Sequence, residues 1–188
     1  GAWPEPGGVR FRVWAPDARA LSVVFEPPRL RPVALEKFPD GTFGKLVRGV
    51  EVGDRYRYEL DGGTAVPDPA SRFQPEGVHG PSEVVDPSGF VWSDSAWRGL
   101  PRSDLVLYEL HIGAFTPEGT FGSATGRLPY LAQLGVTAVE LMPLADFPGR
   151  RNWGYDGVNL FAPARCYGTP DDLRRLVDTA HRVGLAVF

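Results

Sequence analysis

Over the first ninety or so residues the hydrophobic positions recur at every second place. Val9-Arg10-Phe11-Arg12-Val13-Trp14 alternates apolar with basic side chains, the period of a strand with one buried face, and Pro16-Asp17 ends it. Residues 21–25 form the next run, closed by Pro27-Pro28. A third strand, residues 43–50, follows the turn Pro39-Asp40-Gly41, and a fourth, residues 55–60, alternates again before Asp61-Gly62-Gly63. Short strands at roughly 8–15 residue intervals predict an all-β, immunoglobulin-like antiparallel sandwich over residues 1–90.

The period changes at Asp104. Residues 105–112 are a mostly apolar strand. Ala124, Leu128, Leu131 and Leu134 then share one face of a helix predicted over residues 123–134, with Pro129 bending it and Gly135 stopping it. Residues 136–142 are the second strand. Thr169-Pro170-Asp171-Asp172 opens another helix with a capping threonine, a first-turn proline and two acids against the dipole. Its buried face is Leu173, Leu176, Val177 and Ala180, and Gly184 ends it; residues 185–188 begin a third strand.

Alternating strands and helices predict a parallel sheet with right-handed crossovers. A closed barrel of this type takes eight units and about 250 residues. The segment 104–188 is therefore expected to hold the first two and a half β/α units of an incomplete (β/α)8 barrel, joined to the sandwich by a linker over 91–103. An unfinished barrel leaves strand edges and apolar faces open, which predicts self-association or partial disorder after Pro101.

Composition narrows the class of partner. In 188 residues, 43% are hydrophobic and 23% charged, as in a folded globular protein, and 19 prolines and 23 glycines fall between apolar runs as tight connections. A net charge of −3 argues against nucleic acid or an anionic membrane as the main partner. No apolar run approaches the roughly 18 residues of a membrane span, and the first residues lack a signal pattern. Cys166 is the single cysteine, which allows no internal disulfide. A cytoplasmic protein is expected.

Active sites of such barrels lie where strands run into the loops that lead to helices. The first such loop, residues 113–122, is short and glycine-rich. The second, residues 143–169, is long, and connections of that length are usually functional. It carries Phe147, Trp153, Tyr155, Phe161 and Tyr167 together with Asp146, Asn152, Asp156 and Asn159. Flat aromatic faces with carboxylates and amides suit a carbohydrate, although the same aromatics could fill a small core of the loop.

The sequence resembles the α-amylase superfamily, glycoside hydrolase family 13. Phe11-Arg12-Val13-Trp14-Ala15-Pro16 and Asp68-Pro69-Ala70-Ser71-Arg72-Phe73-Gln74-Pro75-Glu76-Gly77 are similar to the carbohydrate-binding family 48 modules that precede many of its barrels. The linker with Trp92 and Trp97 fits as well. Tyr108-Glu109-Leu110-His111-Ile112-Gly113-Ala114-Phe115 looks like the first barrel strand, and Glu140-Leu141-Met142-Pro143 like the second. The loop from Asp146 to Gly157 is most similar to that of the trehalose-releasing branch of the family, which acts on maltooligosyltrehalose. In the related branching enzymes a glutamine would follow the tyrosine, where this chain has Asp156.

The resemblance implies an α-glucan or maltooligosyltrehalose as substrate; no cofactor and no metal are expected. It implies that Tyr155 stacks beneath the glucose being cleaved, that Asn152 touches the same sugar, and that Trp153 shapes the adjoining wall. Asp156 is a further substrate-contact candidate. Relatives cleave with retention through an aspartate nucleophile and a glutamate acid/base, with carboxyls about 5 Å apart. Those residues belong to strands four, five and seven, so no catalytic residue is expected in this chain.

Other residues invite chemistry less. Glu109 and Glu140 lie on adjacent strands and are expected to pair with polar neighbours, with His111, or with basic residues of further strands. His111 reads as a hydrogen-bonded core histidine, and His79 and His181 lack metal-ligand spacing. Cys166 is expected to pack rather than react. Trp14 is expected to pack in the sandwich or against the barrel, and Trp92 and Trp97 to pin the linker. A fragment of a glycogen branching or debranching enzyme, or a glucan-binding module without catalysis, stands as the alternative reading.

Overall fold

The computed structural model describes residues 1–27 and 30–188. Nine short strands come first: β1 (Ala2–Glu5), β2 (Gly8–Trp14), β3 (Leu21–Glu26), β4 (Val33–Ala34), β5 (Glu36–Lys37), β6 (Thr42–Val47), β7 (Arg55–Leu60), β8 (Ala65–Val66) and β9 (Ser82–Glu83). They form two antiparallel sheets, β1-β2-β6-β5 and β4-β3-β7-β8, with β9 also on β7. The alternation read from the sequence decides which side chains meet between them. Val9, Phe11 and Val13 of β2, Leu21, Val23 and Phe25 of β3, and Tyr56 and Tyr58 of β7 all turn inward to one core. Phe11 meets Tyr56 edge to face at 4.9 Å, the arrangement that aromatic quadrupoles favour. Pro28, expected to help close β3, lies outside the described residues. Trp14 does not pack as expected: it ends β2 on the outward phase and is 68% exposed.

The parallel part follows: β10 (Leu107–Leu110), α1 (Ile112–Phe115), α2 (Phe121–Thr125), α3 (Leu128–Leu134), β11 (Ala138–Leu141), β12 (Ala145–Asp146), β13 (Asn159–Pro163), α4 (Pro170–Arg182) and β14 (Ala186–Val187). The sheet order is β10-β11-β14, all parallel, with Leu107 beside Ala138 and Val139 beside Val187. This is the topology expected of successive β/α units, placed after a sandwich. Its core gathers Leu110, Phe121, Leu128, Leu131, Val139, Phe147, Leu176 and Leu185. Among the described residues no helix is long and apolar enough to cross a membrane.

Three expectations change. The helix read over residues 123–134 is two helices, parted at Gly126-Arg127. Pro129 has no N–H for the carbonyl four residues back, so it does not bend a helix but begins one, in the first turn where that N–H is not needed. The break rotates Leu134 outward to 60% exposure, while Leu128 and Leu131 stay buried. The strand read to residue 112 stops at Leu110, and His111 stands at the N-terminal boundary of α1 with its ring turned elsewhere. The long connection, in which no strand was read, holds β12 and β13 paired antiparallel, Asp146 beside Asn159.

Candidate substrate-binding site

Beyond β11 the chain passes Met142-Pro143 into the β12/β13 hairpin, and residues 147–158 form its excursion. The base of that excursion is tied by Arg165. Its guanidinium donates to both oxygens of Asp146 (2.9 and 3.1 Å), to the Phe147 carbonyl (3.1 Å) and to the Gly149 carbonyl (3.0 Å). Asp146 is fully buried, so its charge requires this fork. The far end is tied by His111, whose Nε2 lies 2.7 Å from the Asn152 carbonyl oxygen. A carbonyl oxygen only accepts, so Nε2 carries the proton. Between these ties, Gly154 has φ +96° and sits so close to Pro143 that a β-carbon would approach its ring and carbonyl to 2.9–3.0 Å.

The ties leave an open pocket of about 600 Å³ bordered by His111, Gly113, Arg150, Asn152, Trp153 and Asp156, with Arg151 and Tyr167 beside them. Three of the four sequence-derived site residues meet there. Asn152 is half-buried, its Oδ1 accepting the Gly154 N–H, which orients Nδ2 as a buried donor without a partner among the described residues. Trp153 is 74% exposed, with its ring edge to face on His111 at 6.1 Å. Asp156 is exposed on the rim. Tyr155 is also 74% exposed but does not border this pocket.

Sequence reasoning named Tyr167 among the loop's aromatics but passed over His111 as a lining residue. His111 is hydrogen-bonded, as read, yet half-buried at the pocket wall and not in the core. Its position just past a barrel-strand end was the available signal. Tyr167 meets the His111 ring edge to face at 5.9 Å, and burial pushes its phenol up to about 12, so it stays neutral. Arg150 and Arg151 add two cations to the rim.

The arrangement offers aromatic faces, an amide, a carboxylate and guanidinium groups, the materials for gripping hydroxyls. It offers no pair of carboxylates across the pocket, since Asp146 is spent on Arg165. Glu109 and Glu140 sit side by side in register and exposed, and of the partners expected for them His111 is not one, because that ring gives its proton to the loop. Burial raises the thiol of half-buried Cys166. Among the described residues no cluster of His, Cys, Asp or Glu could hold a metal.

The family profile for the alpha amylase catalytic domain matches residues 81–188. Malto-oligosyltrehalose trehalohydrolase of Saccharolobus solfataricus is 50% identical over 184 residues, covering 98% of this chain and 32% of its own length. The Deinococcus radiodurans enzyme of the same name is 49% identical, covering 100% of this chain and 31% of its own. A Salmonella typhimurium protein whose solved structure carries an alpha-amylase assignment superposes with a TM-score of 0.90 at 47% identity, over 95% of this chain and 30% of that one. The chain thus spans about a third of the length of the relatives it matches. It belongs to the alpha-amylase family, glycoside hydrolase family 13.

Proposed function

We propose that this chain is the front part of an α-glucan hydrolase that releases trehalose from maltooligosyltrehalose by retaining cleavage of an α-1,4 bond. The observation that carries the reading is the loop at residues 146–157, which is braced at both ends and presents Trp153 and Tyr155 to solvent. Near-complete coverage of the chain by trehalohydrolases at 49–50% identity supports it. In this reading residues 1–90 are a sandwich module, 91–103 a linker and 104–188 the start of the catalytic barrel. Tyr155 stacks on the glucose being cleaved, Asn152 and Asp156 take its hydroxyls, and Trp153 forms the neighbouring wall. The nucleophile and the acid/base come from later strands of the whole protein.

The reading is tested by incubating maltooligosyltrehalose with a protein carrying the whole barrel and with this chain alone. Free trehalose is expected from the first only. Turnover by the 188-residue chain at an ordinary enzyme rate, or release of maltose without trehalose by the whole protein, would overturn it.

One observation favours a second reading, glucan binding by the sandwich itself. Trp14 and Phe38 are exposed on its outer sheet, and Phe38 borders a cleft of about 460 Å³ with Arg12 and Asp40. Retention on amylose resin that vanishes in Trp14→Ala would support this role.

A further inference from the structure

The segment at residues 68–77 resembles its counterparts in sandwich modules, yet nothing in the proposed reaction uses it. In the fold it is a chain of buried polar groups. The Tyr56 hydroxyl donates to Asp68 (2.6 Å), and the Asp68 N–H donates to the Ser82 hydroxyl (3.0 Å). That hydroxyl donates to Gln74 Oε1 (2.6 Å), and the Gln74 amide holds the Gly77 and Gly80 carbonyls at 3.2 and 3.1 Å. Asp68, Gln74 and Ser82 are fully buried, so each bond is made where water cannot replace it. The result is a turn locked to the sandwich core.

What this turn touches is the second half of the molecule. A β-carbon at Gly77 would lie 3.1 Å from Cζ, 3.2 Å from Nη2 and 3.4 Å from Nε of Arg165. Gly77, with φ +92°, thus lies flat against the guanidinium that holds Asp146 and the Phe147 and Gly149 carbonyls. One residue past Gly149 the pocket rim begins at Arg150.

We infer that residues 68–77 of the sandwich position the sugar-contacting loop, with Gly77 fixing the Arg165 fork and Arg165 fixing the loop's base. Arg165 is a positioning residue in this scheme. Its four bonds are directional, and a displaced fork cannot reach both Asp146 and Gly149. The idea rests on the proposed reading only for what the loop binds; the brace itself is read without sugar.

The test is a double-mutant cycle of Gly77→Ala and Arg165→Lys. Lysine leaves a cation facing buried Asp146 but has no planar fork to collide with a new methyl group. Gly77→Asn serves as a second variant, since asparagine tolerates positive φ while still adding a β-carbon. Two readouts are taken: amide hydrogen exchange at residues 150–156, and titration with maltotetraose followed by NMR.

Gly77→Ala and Gly77→Asn should each speed exchange at 150–156 and weaken maltotetraose binding roughly tenfold, while core amides of Phe11 and Val23 keep their protection. In the Arg165→Lys background the same change at Gly77 should alter neither readout by more than about twofold. An equal effect of Gly77→Ala in both backgrounds would reduce it to local backbone strain and overturn the brace. So would unchanged exchange at 150–156 in both Gly77 variants. Failure of the unaltered chain to take up maltotetraose, with the exchange pattern as expected, would instead count against the sugar reading and leave the brace standing.

Discussion

Tyr155 and Trp153 each expose about three quarters of their surface, while the residue between them is buried against Pro143. In the proposed reading the aromatic rings contribute to binding and the glycine to shape, so the two kinds of residue should respond differently to substitution. Tyr155→Ala should leave the unfolding free energy within about 0.5 kcal/mol, because no buried contact is lost. It should cost about 1 kcal/mol of maltooligosaccharide affinity, the worth of one aromatic face. Calorimetric titration beside a thermal melt separates the two, and a destabilised protein with unchanged sugar affinity would contradict the assignment. Gly154→Ala should do the reverse. Its positive φ and the 2.9–3.0 Å approach to Pro143 make a methyl group both strained and crowded. A loss of about 2–3 kcal/mol in urea unfolding is expected, with the loop dislodged in what remains folded.

Helix α4 shows how far local chemistry determines an element. Thr169 Oγ1 accepts the Asp172 N–H, and the Asp172 carboxylate accepts the Thr169 N–H at 2.9 Å, a capping box opened by Pro170. Thr169→Ala should cost about 1 kcal/mol, read as a lower midpoint in urea at unchanged slope. This helix was legible in sequence to within one residue at each end, because cap, proline, acids and apolar stripe all agree. The four longer sandwich strands β2, β3, β6 and β7 were legible for the same reason, as where Val9, Phe11 and Val13 alternate without a competing signal. By contrast, β1 and the two-residue strands were too short for a period. Residues 123–134 were read as one helix because their apolar spacing outweighed Pro129, yet the missing N–H decided the matter. The site was half legible. Aromatics and amides on a long loop pointed to sugar, but the β12/β13 pairing rests on two residues of β12, too few for a period. Arg165 escaped notice, and His111 was read as a core residue, because their partners (Asp146 with the Phe147 and Gly149 carbonyls, and the Asn152 carbonyl) lie 16–41 residues away, which no local pattern records.

The two halves of the molecule meet through more than Gly77 and Arg165. Beyond the sandwich, Ser93 gives its N–H (2.6 Å) and hydroxyl (2.8 Å) to the carboxylate of Asp178 on α4. Trp97 stacks flat on His181 at 4.6 Å, and His181 Nδ1 lies 2.7 Å from Asp94. The expected pinning of the linker by Trp97 thus takes place on the helix that carries the second crossover of the parallel sheet. The contact has a pH signature. The Ser93 N–H, then the Ser93 hydroxyl and the neighbouring Arg182 and His181 side chains, hold the Asp178 carboxyl below the usual carboxylate range against the opposing effect of burial. A carboxyl depressed in the fold stabilises fully above its unfolded value of about 3.9, and that contribution is lost as pH falls through the lower folded value. The contribution of Asp178 to the attachment should therefore hold from about pH 7 to about 5 and weaken below about 4. Asp178→Asn keeps one acceptor for Ser93 but carries no titrating charge, so its melting temperature should start about 2–4 °C lower near neutral pH. The gap between the two proteins should then close as the pH drops toward about 3. Parallel melting curves for both across that range decide the point, and a gap that stays constant down to the acid end would show that Asp178 is not held as an anion by this clasp.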